Sequence, residues 1–301
     1  MVQDGHHVSV MPREVLEYLN PQPGQCFLDG TLGLAGHSVL IANEIGSTGH
    51  LIGIDQDQRA LEKAQERLSS FKGRLDLCHG NFSDFDEVIK RLAVSKVDGM
   101  LFDLGISSFQ LDDLERGFSF KSNGPLDMRM DQSTSLTAKD LVNRLAENEL
   151  ADLIFKYGEE RLSRRIARSI IQYRQQKSFE TVQELEHVIF NSVPISYRRQ
   201  KIHPATRTFQ ALRIAVNKEL DVLQTMLGKF DQYLKPGGRI AVISFHSLED
   251  RLVKEKFREL SRLGVIEINS KKPLRPGEDE VKINSRSRSA RLRVAERISC
   301  S

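Results

Sequence analysis

Four short apolar runs near the start of the chain each give out at a polar turn, and three of them end on a carboxylate. They are Cys26-Phe27-Leu28-Asp29, His50 to Asp55, Leu75 to Cys78 and Val97 to Asp103, each with the length and apolar content of a buried strand. Helical patterns separate them, from about Gly36 to Ile45 and along Arg59, Leu61, Ala64 and Leu68. Strand–helix units repeated at this spacing leave one economical solution, a parallel sheet joined by right-handed crossovers with helices on both faces. The expected fold class is therefore α/β, a doubly wound, Rossmann-like sheet. Ligands of such sheets bind outside the carboxyl ends of the strands, which is where Asp29, Asp55 and Asp103 fall.

The alternation stops at about Asp112. As far as Ala205 only helical patterns occur, among them Leu136 to Leu145, Glu149 to Phe155, Leu162 to Tyr173 and Val182 to Phe190. From Thr208 one long amphipathic helix is predicted to resume the wound fold, because Leu212, Ala215, Val216, Leu220, Leu223, Leu227 and Phe230 repeat at helical spacing. Lys235-Pro236-Gly237-Gly238 then breaks it. Arg239 to Ser244 reads as a fifth strand and Leu248 to Leu263 as a helix. Val265 to Ile268 and Ala290 to Val294 read as antiparallel closing strands, with Pro273, Pro276 and Gly277 in the loop between them. The predicted organisation is a discontinuous wound domain, 1–111 and 206–301, interrupted by an all-helical domain, 112–205, assigned to substrate recognition.

Composition narrows the class. With 39% hydrophobic and 28% charged residues in 301, the chain is of the ordinary globular kind. No apolar run approaches the roughly 18 residues of a membrane span. Met1 to Ser9 has no apolar segment behind a basic start, so no secretory signal is expected. Cys26, Cys78 and Cys300 form no Cys-x-x-Cys pair. The expectation is a cytoplasmic protein with neither a membrane partner nor a bound metal; a homodimer is the one self-assembly considered. The net charge of +3 averages over segregated charge. Arg161 to Arg207 holds ten Lys/Arg against three acids and Lys271 to Arg297 nine against four, which leaves −9 on the remainder. Two basic stretches on an acidic body suit phosphate-facing surfaces, with solvated helix faces as the plain alternative.

The turn after the first strand, Asp29-Gly30-Thr31-Leu32-Gly33-Leu34-Ala35-Gly36-His37, has the spacing G-x-x-G-x-x-G. Glycines there let a ligand approach the backbone, but the spacing departs from the G-x-G-x-x-G of dinucleotide sites, and no Lys-Ser/Thr pair makes a P-loop. Asp55 is placed to accept the hydroxyls of a ribose. An acidic cleft disfavours a pyrophosphate and suits a ligand with ammonium and sulfonium charges; S-adenosylmethionine fits. Gly80-Asn81-Phe82 could offer a carboxamide or a ring to an adenine, or be a surface loop with a core Phe. Asp103 and the small-residue turn behind it are placed to accept hydrogen bonds from a poorly nucleophilic exocyclic amine and to take its proton, or Asp103 is a strand-end cap. Cys26 and Cys78 read as core thiols. In Tyr197-Arg198-Arg199-Gln200-Lys201-Ile202-His203-Pro204-Ala205-Thr206-Arg207, the residues Arg198, Arg199, Lys201, His203 and Arg207 make a candidate phosphate clamp, with ion pairing to acids as the competitor. His246, in Ser244-Phe245-His246-Ser247-Leu248-Glu249, is a candidate proton acceptor or RNA contact, or a helix cap.

Together, Asp29 to Ser38, Asp103 to Asp113, Arg199 to Arg213 and Lys235 to Arg251 resemble the bacterial RsmH (MraW) family of ribosomal RNA small-subunit methyltransferases, nearly end to end and including the insertion. The resemblance implies a class I methyltransferase sheet, S-adenosylmethionine as cofactor, and methylation of N4 of a cytidine in the decoding region of 16S rRNA, alone or in the small ribosomal subunit. By similarity, cofactor contacts fall on Ala35, Gly36, His37, Asp55, Phe82, Asp103 and Gln110, beside Asp29 and Gly33 of the turn. The chain departs from the family pattern at Ser9 and Phe109, each where Pro is common, and at Ala35, where Gly is common. The competing readings are an amino methyltransferase acting on DNA or protein and an RNA-binding ribosome-assembly factor.

Overall fold

The computed structural model describes residues 9–107, 110–111, 113–120 and 123–299. The chain divides into two compact units, one formed by its beginning up to Gly105 and its end from Leu220, the other by Ile106–Glu219.

The first unit is built on one seven-stranded sheet: β1 (Cys26–Asp29), β2 (His50–Asp55), β3 (Arg74–His79), β4 (Val97–Asp103), β5 (Leu234–Ser244), β6 (Ile266–Ile268) and β7 (Arg291–Arg297). The spatial order is β3-β2-β1-β4-β5-β7-β6. All pairings from β3 to β5 are parallel, while β7 runs antiparallel to both β5 and β6. This is the expected doubly wound sheet with its antiparallel closing pair. Because β1 precedes both neighbours, the chain reverses its winding direction between β1 and β4, and that switch point is where such sheets open a crevice. Asp29 pairs with Gly53 on one side and Leu101 on the other, so β2 and β4 each run two residues beyond β1.

Apolar layers cover both faces. One holds Phe85, Val88 and Ile89 with Leu223, Met226, Phe230, Val253 and Phe257; the other holds Val15, Leu19, Ile41, Ile45, Leu61 and Ala64. Helix Pro12–Leu19, which opens on a proline suited to a first helical turn, and helix Phe85–Arg91 were not among the sequence expectations. Lys235-Pro236-Gly237-Gly238, expected to separate helix from strand, lies inside β5 as an irregular stretch where the register with β4 shifts between Val97 and Gly99.

The second unit is helical and has its own core, with Leu150, Ile154, Ile166, Ile170, Phe179, Leu185 and Ile189 fully buried. Two of its helices start on capping boxes, Thr137 with Asp140 and Thr181 with Glu184, which satisfy the first free amides of the turn. The long helix expected from Thr208 is three helices: Ala205–Asn217, Glu219–Leu227 and Phe230–Tyr233. Lys218 adopts a left-handed conformation (φ 51°) that ends the first of them. That first helix buries Phe209, Leu212 and Val216 in the second unit's core and does not resume the sheet domain. Periodicity was the same on both sides of the break, so it could not mark the change of partner. No helix among the described residues is long and apolar enough to cross a membrane.

Phe102 is fully buried in β4, with its ring 5.6 Å from Phe82 and 6.3 Å from Phe85. Replacing it with alanine is expected to cost about 3–5 kcal/mol, read as a fall in the denaturant midpoint.

Candidate active site

At the carboxyl ends of β1, β2 and β4 the glycine-bearing turn is tied to three strand ends. Asp29, 2% exposed, accepts hydrogen bonds from the Ser38 hydroxyl (2.7 Å) and the Thr31 amide (3.1 Å). Asp55 accepts from the Gly33 amide (2.7 Å) and the Asp57 amide (2.8 Å), joining the turn to the end of β2. Thr31 Oγ1 in turn accepts from the Asp103 amide (2.6 Å), joining it to the end of β4. Gly33 is left-handed (φ 51°), as is Ala35 (φ 59°), the residue that leads into helix Gly36–Ile45. A left-handed alanine is disfavoured, and such strain gathers at ligand-binding turns. A Cβ on Gly36 would collide with the Ser9 hydroxyl, so a side chain there would require Ser9 to turn away.

His37 follows in the first helical turn, 7% exposed, with Nε2 3.5 Å from Asp103 Oδ2. Among the described residues, neither of its ring nitrogens has a hydrogen-bond partner, nor does buried Asp103 Oδ1. An orphaned buried polar atom costs about 1–3 kcal/mol, and here a bound polar molecule would restore the partners. Burial pushes the Asp55 carboxyl up to about 6 against the pull of its two amide donors, and it also raises Asp29 against the Ser38 bond. Three carboxylates in one crevice are relieved by a cation and aggravated by a phosphate. The residues therefore fit a sulfonium-bearing nucleoside and do not fit a pyrophosphate.

Phe82 lies half-buried in the turn after β3, packed on Phe102, while Asn81 caps that turn by accepting the Ser83 amide (3.0 Å). His246 stands at the end of β5, beside β4, as the cap of helix Ser247–Arg262. Its Nδ1 accepts the Glu249 amide (3.4 Å) and its Nε2 lies 3.1 Å from Glu249 Oε1. Cys26 is at the opposite end of β1, where burial and Asp98 push its thiol up to about 11; Cys78 is buried. Neither is poised as a nucleophile.

The remaining expected residues belong to the second unit. Gln110 is buried, its Oε1 accepting the Ser107 amide (3.1 Å) and its own amide bonding Ser107 Oγ (3.2 Å). Phe109 and Ser108 lie outside the described residues, as does Cys300. The five clamp residues separate into two kinds. Arg198 donates to the carbonyls of Val193 (3.1 Å) and Asn191 (3.0 Å) and covers the Phe190 ring. His203 is stacked between Phe120 and Phe190, with Glu186 3.3 Å from Nε2. Arg207 reaches Tyr197 Oη (3.5 Å) and the fully buried Glu160 (3.9 Å); burial and its bond to Glu160 push the Tyr197 hydroxyl up to about 12. Arg199 and Lys201 are exposed.

A family model described as the MraW methylase family matches residues 4–298. The chain belongs to that family. A ribosomal RNA small subunit methyltransferase H from Synechococcus elongatus is 52% identical over 293 residues, 97% of this chain and 95% of that protein. A protein of the same description from Persephonella marina is 50% identical over 97% of this chain and 99% of its own length. Among solved structures, an rRNA methylase from Streptococcus thermophilus superposes with a TM-score of 0.46 at 11% identity, over 98% of this chain and all of that one.

Within this family member, strand-end logic alone reached Asp29, Asp55 and Asp103, whereas His37 and Gln110 came only through motif resemblance. Thr31 and Ser38 were missed: a hydroxyl that serves a strand end 72 residues away carries no local signal. Thr31→Val keeps the shape and leaves the Asp103 amide without the acceptor shown here. It is expected to cost about 1–3 kcal/mol in denaturant unfolding.

Proposed function

We propose that this protein transfers the methyl group of S-adenosylmethionine to the N4 exocyclic amine of a cytidine in the decoding region of 16S rRNA, in the cytoplasm, with the RNA or the small ribosomal subunit as substrate. The observation that carries the reading is the crevice over β1, in a chain of the MraW methylase family: three carboxylates with buried, unpartnered polar atoms of His37 and Asp103 among them. S-adenosylmethionine, when bound, supplies an electrophilic methyl carbon on a sulfonium centre. Asp55, its lone pairs already oriented by two amides, would accept the ribose hydroxyls. Gly33, Ala35, Gly36 and His37 would line the approach to the backbone, and Phe82 would meet the adenine.

An exocyclic amine is a weak nucleophile because its lone pair is delocalised into the ring. Asp103 Oδ1, buried and unpartnered, accepts an N–H of that amine, favours a pyramidal nitrogen and receives the proton. Aligned approach supplies much of the remaining acceleration. His246 Nδ1 accepts the Glu249 amide, which supports a capping role, while its buried Nε2 makes no hydrogen bond among the described residues and keeps proton transfer open to it. The target base leaves its stack to reach the site. Exposed Arg199 and Lys201 suit phosphate contacts in the helical unit, while Arg198, His203 and Arg207 shape the segment that presents them.

With labelled donor and small subunits from a strain lacking the enzyme, label should enter 16S rRNA. No transfer, or label on DNA or protein instead, would defeat the assignment. Asp103→Ala should lower transfer by about a hundredfold or more while donor affinity changes only a few-fold; an inert mutation would remove Asp103 from the reaction. Wild-type turnover of ribosome assembly by that variant, with no methylation at all, would favour the assembly-factor reading.

The ribose contact needs the Asp55 carboxylate. Since burial sets its carboxyl at about 6, donor affinity is expected to be full above that pH and to fall as pH drops through it. Calorimetry of Asp55→Asn should show a pH-independent affinity over the same range, and Asp55→Ala a loss of at least about tenfold, near 1.4 kcal/mol.

A further inference from the structure

His37 is buried, and among the described residues its two ring nitrogens make no hydrogen bond. Its Nε2 stands 3.5 Å from Asp103 Oδ2, while Oδ1 of the same carboxylate is buried and, among the described residues, makes no hydrogen bond. A carboxylate with one oxygen uncommitted and the other toward a buried imidazole is a base backed by a stronger one, since free imidazole exceeds a free carboxylate by more than two pKa units. We propose that His37 holds the proton that Asp103 removes from the target amine, a role that rests on the methyltransferase reading above.

The amine lone pair forms the new N–C bond as the C–S bond of the donor breaks, and that bond's electron pair stays on sulfur as a neutral thioether. The methylated nitrogen then gives up one proton to Asp103 Oδ1. By turning about its Cβ–Cγ bond, Asp103 yields this proton to His37 Nε2 and returns to a carboxylate. Charge sets the order of events. While the donor is bound, its cation opposes a second one in the crevice, and so does the positive end of helix Gly36–Ile45. Once sulfur is neutral that opposition is gone, and the Asp103 carboxylate from β4 faces the ring. One cation thus replaces another, and the net charge of the crevice is unchanged by the reaction.

The test is an NMR titration of histidine-labelled protein saturated with S-adenosylmethionine and, separately, with S-adenosylhomocysteine, with His37→Gln assigning the signal. The imidazole should titrate at least one pH unit higher in the product complex, a tenfold change in proton affinity; equal values in the two complexes overturn the proposal. In kinetics at saturating donor, wild-type kcat should fall as the pH drops and the imidazole is occupied in advance. His37→Gln should lower kcat about tenfold or more and abolish that acid limb at saturating donor, whatever it does to donor affinity. Lost donor affinity with an unchanged limb would make His37 a donor contact only and overturn the role. If the methyltransferase reading itself is wrong, wild-type protein transfers no label, whereas failure of the His37 role leaves wild-type transfer intact.

Discussion

Parallel pairing of β1 with strands that outrun it creates the place where chemistry can occur. With Asp29 level with Gly53 and Leu101, the two flanking strands continue past the end of β1 and leave a notch two residues deep. The glycine-bearing turn fills the floor of that notch, and its walls are the ends of β2 and β4, which carry Asp55 and Asp103. Were either neighbour to slip by one residue, its terminal side chain would point to the opposite face of the sheet and the carboxylates would no longer converge. The apolar layers on both faces hold that register, and the polar site depends on it.

The bonds from Asp29, Asp55 and Thr31 convert the notch into a rigid frame. Each joins a turn residue to a strand end, so the turn backbone and the Asp103 carboxylate are positioned by one network. The same frame accounts for the electrostatics. Carboxylates that are half or fully buried resist ionisation, and burial raises both Asp29 and Asp55. A cationic ligand relieves that cost, which makes the crevice selective by charge before any shape is considered.

Much of this was legible in the residues. Strand ends at Asp29, Asp55 and Asp103 could be read from apolar runs that stop on a carboxylate, because a fully buried parallel strand shows as a continuous apolar stretch. The interruption by helical patterns was equally clear. Three things were not. Helix Ala205–Asn217 has the periodicity of its successor, and only tertiary packing decides which core receives it. The basic cluster around Arg199 read as a phosphate clamp or as ion pairs to acids, with nothing local to divide its members, whereas Arg198, His203 and Arg207 are engaged by carbonyls, rings and a buried Glu160. The tolerance of β5 for Pro236 depends on a local register shift that no single-strand pattern records.

The insertion also has a cost in time. β4 ends at Asp103 and its partner β5 begins at Leu234, so the central pairing of the sheet joins segments separated by the whole helical unit. At a synthesis rate of about 5–20 residues per second, the open edge of β4 waits roughly 7–26 s for its neighbour to emerge. An apolar strand with free amides is a template for pairing with the wrong chain during that interval. A helical unit with its own core and local capping boxes can fold within the wait and remove its own apolar surface from competition. The nascent wound domain is thereby left with a single unfinished edge, and chaperone dependence of this protein should track the delay before β5 appears.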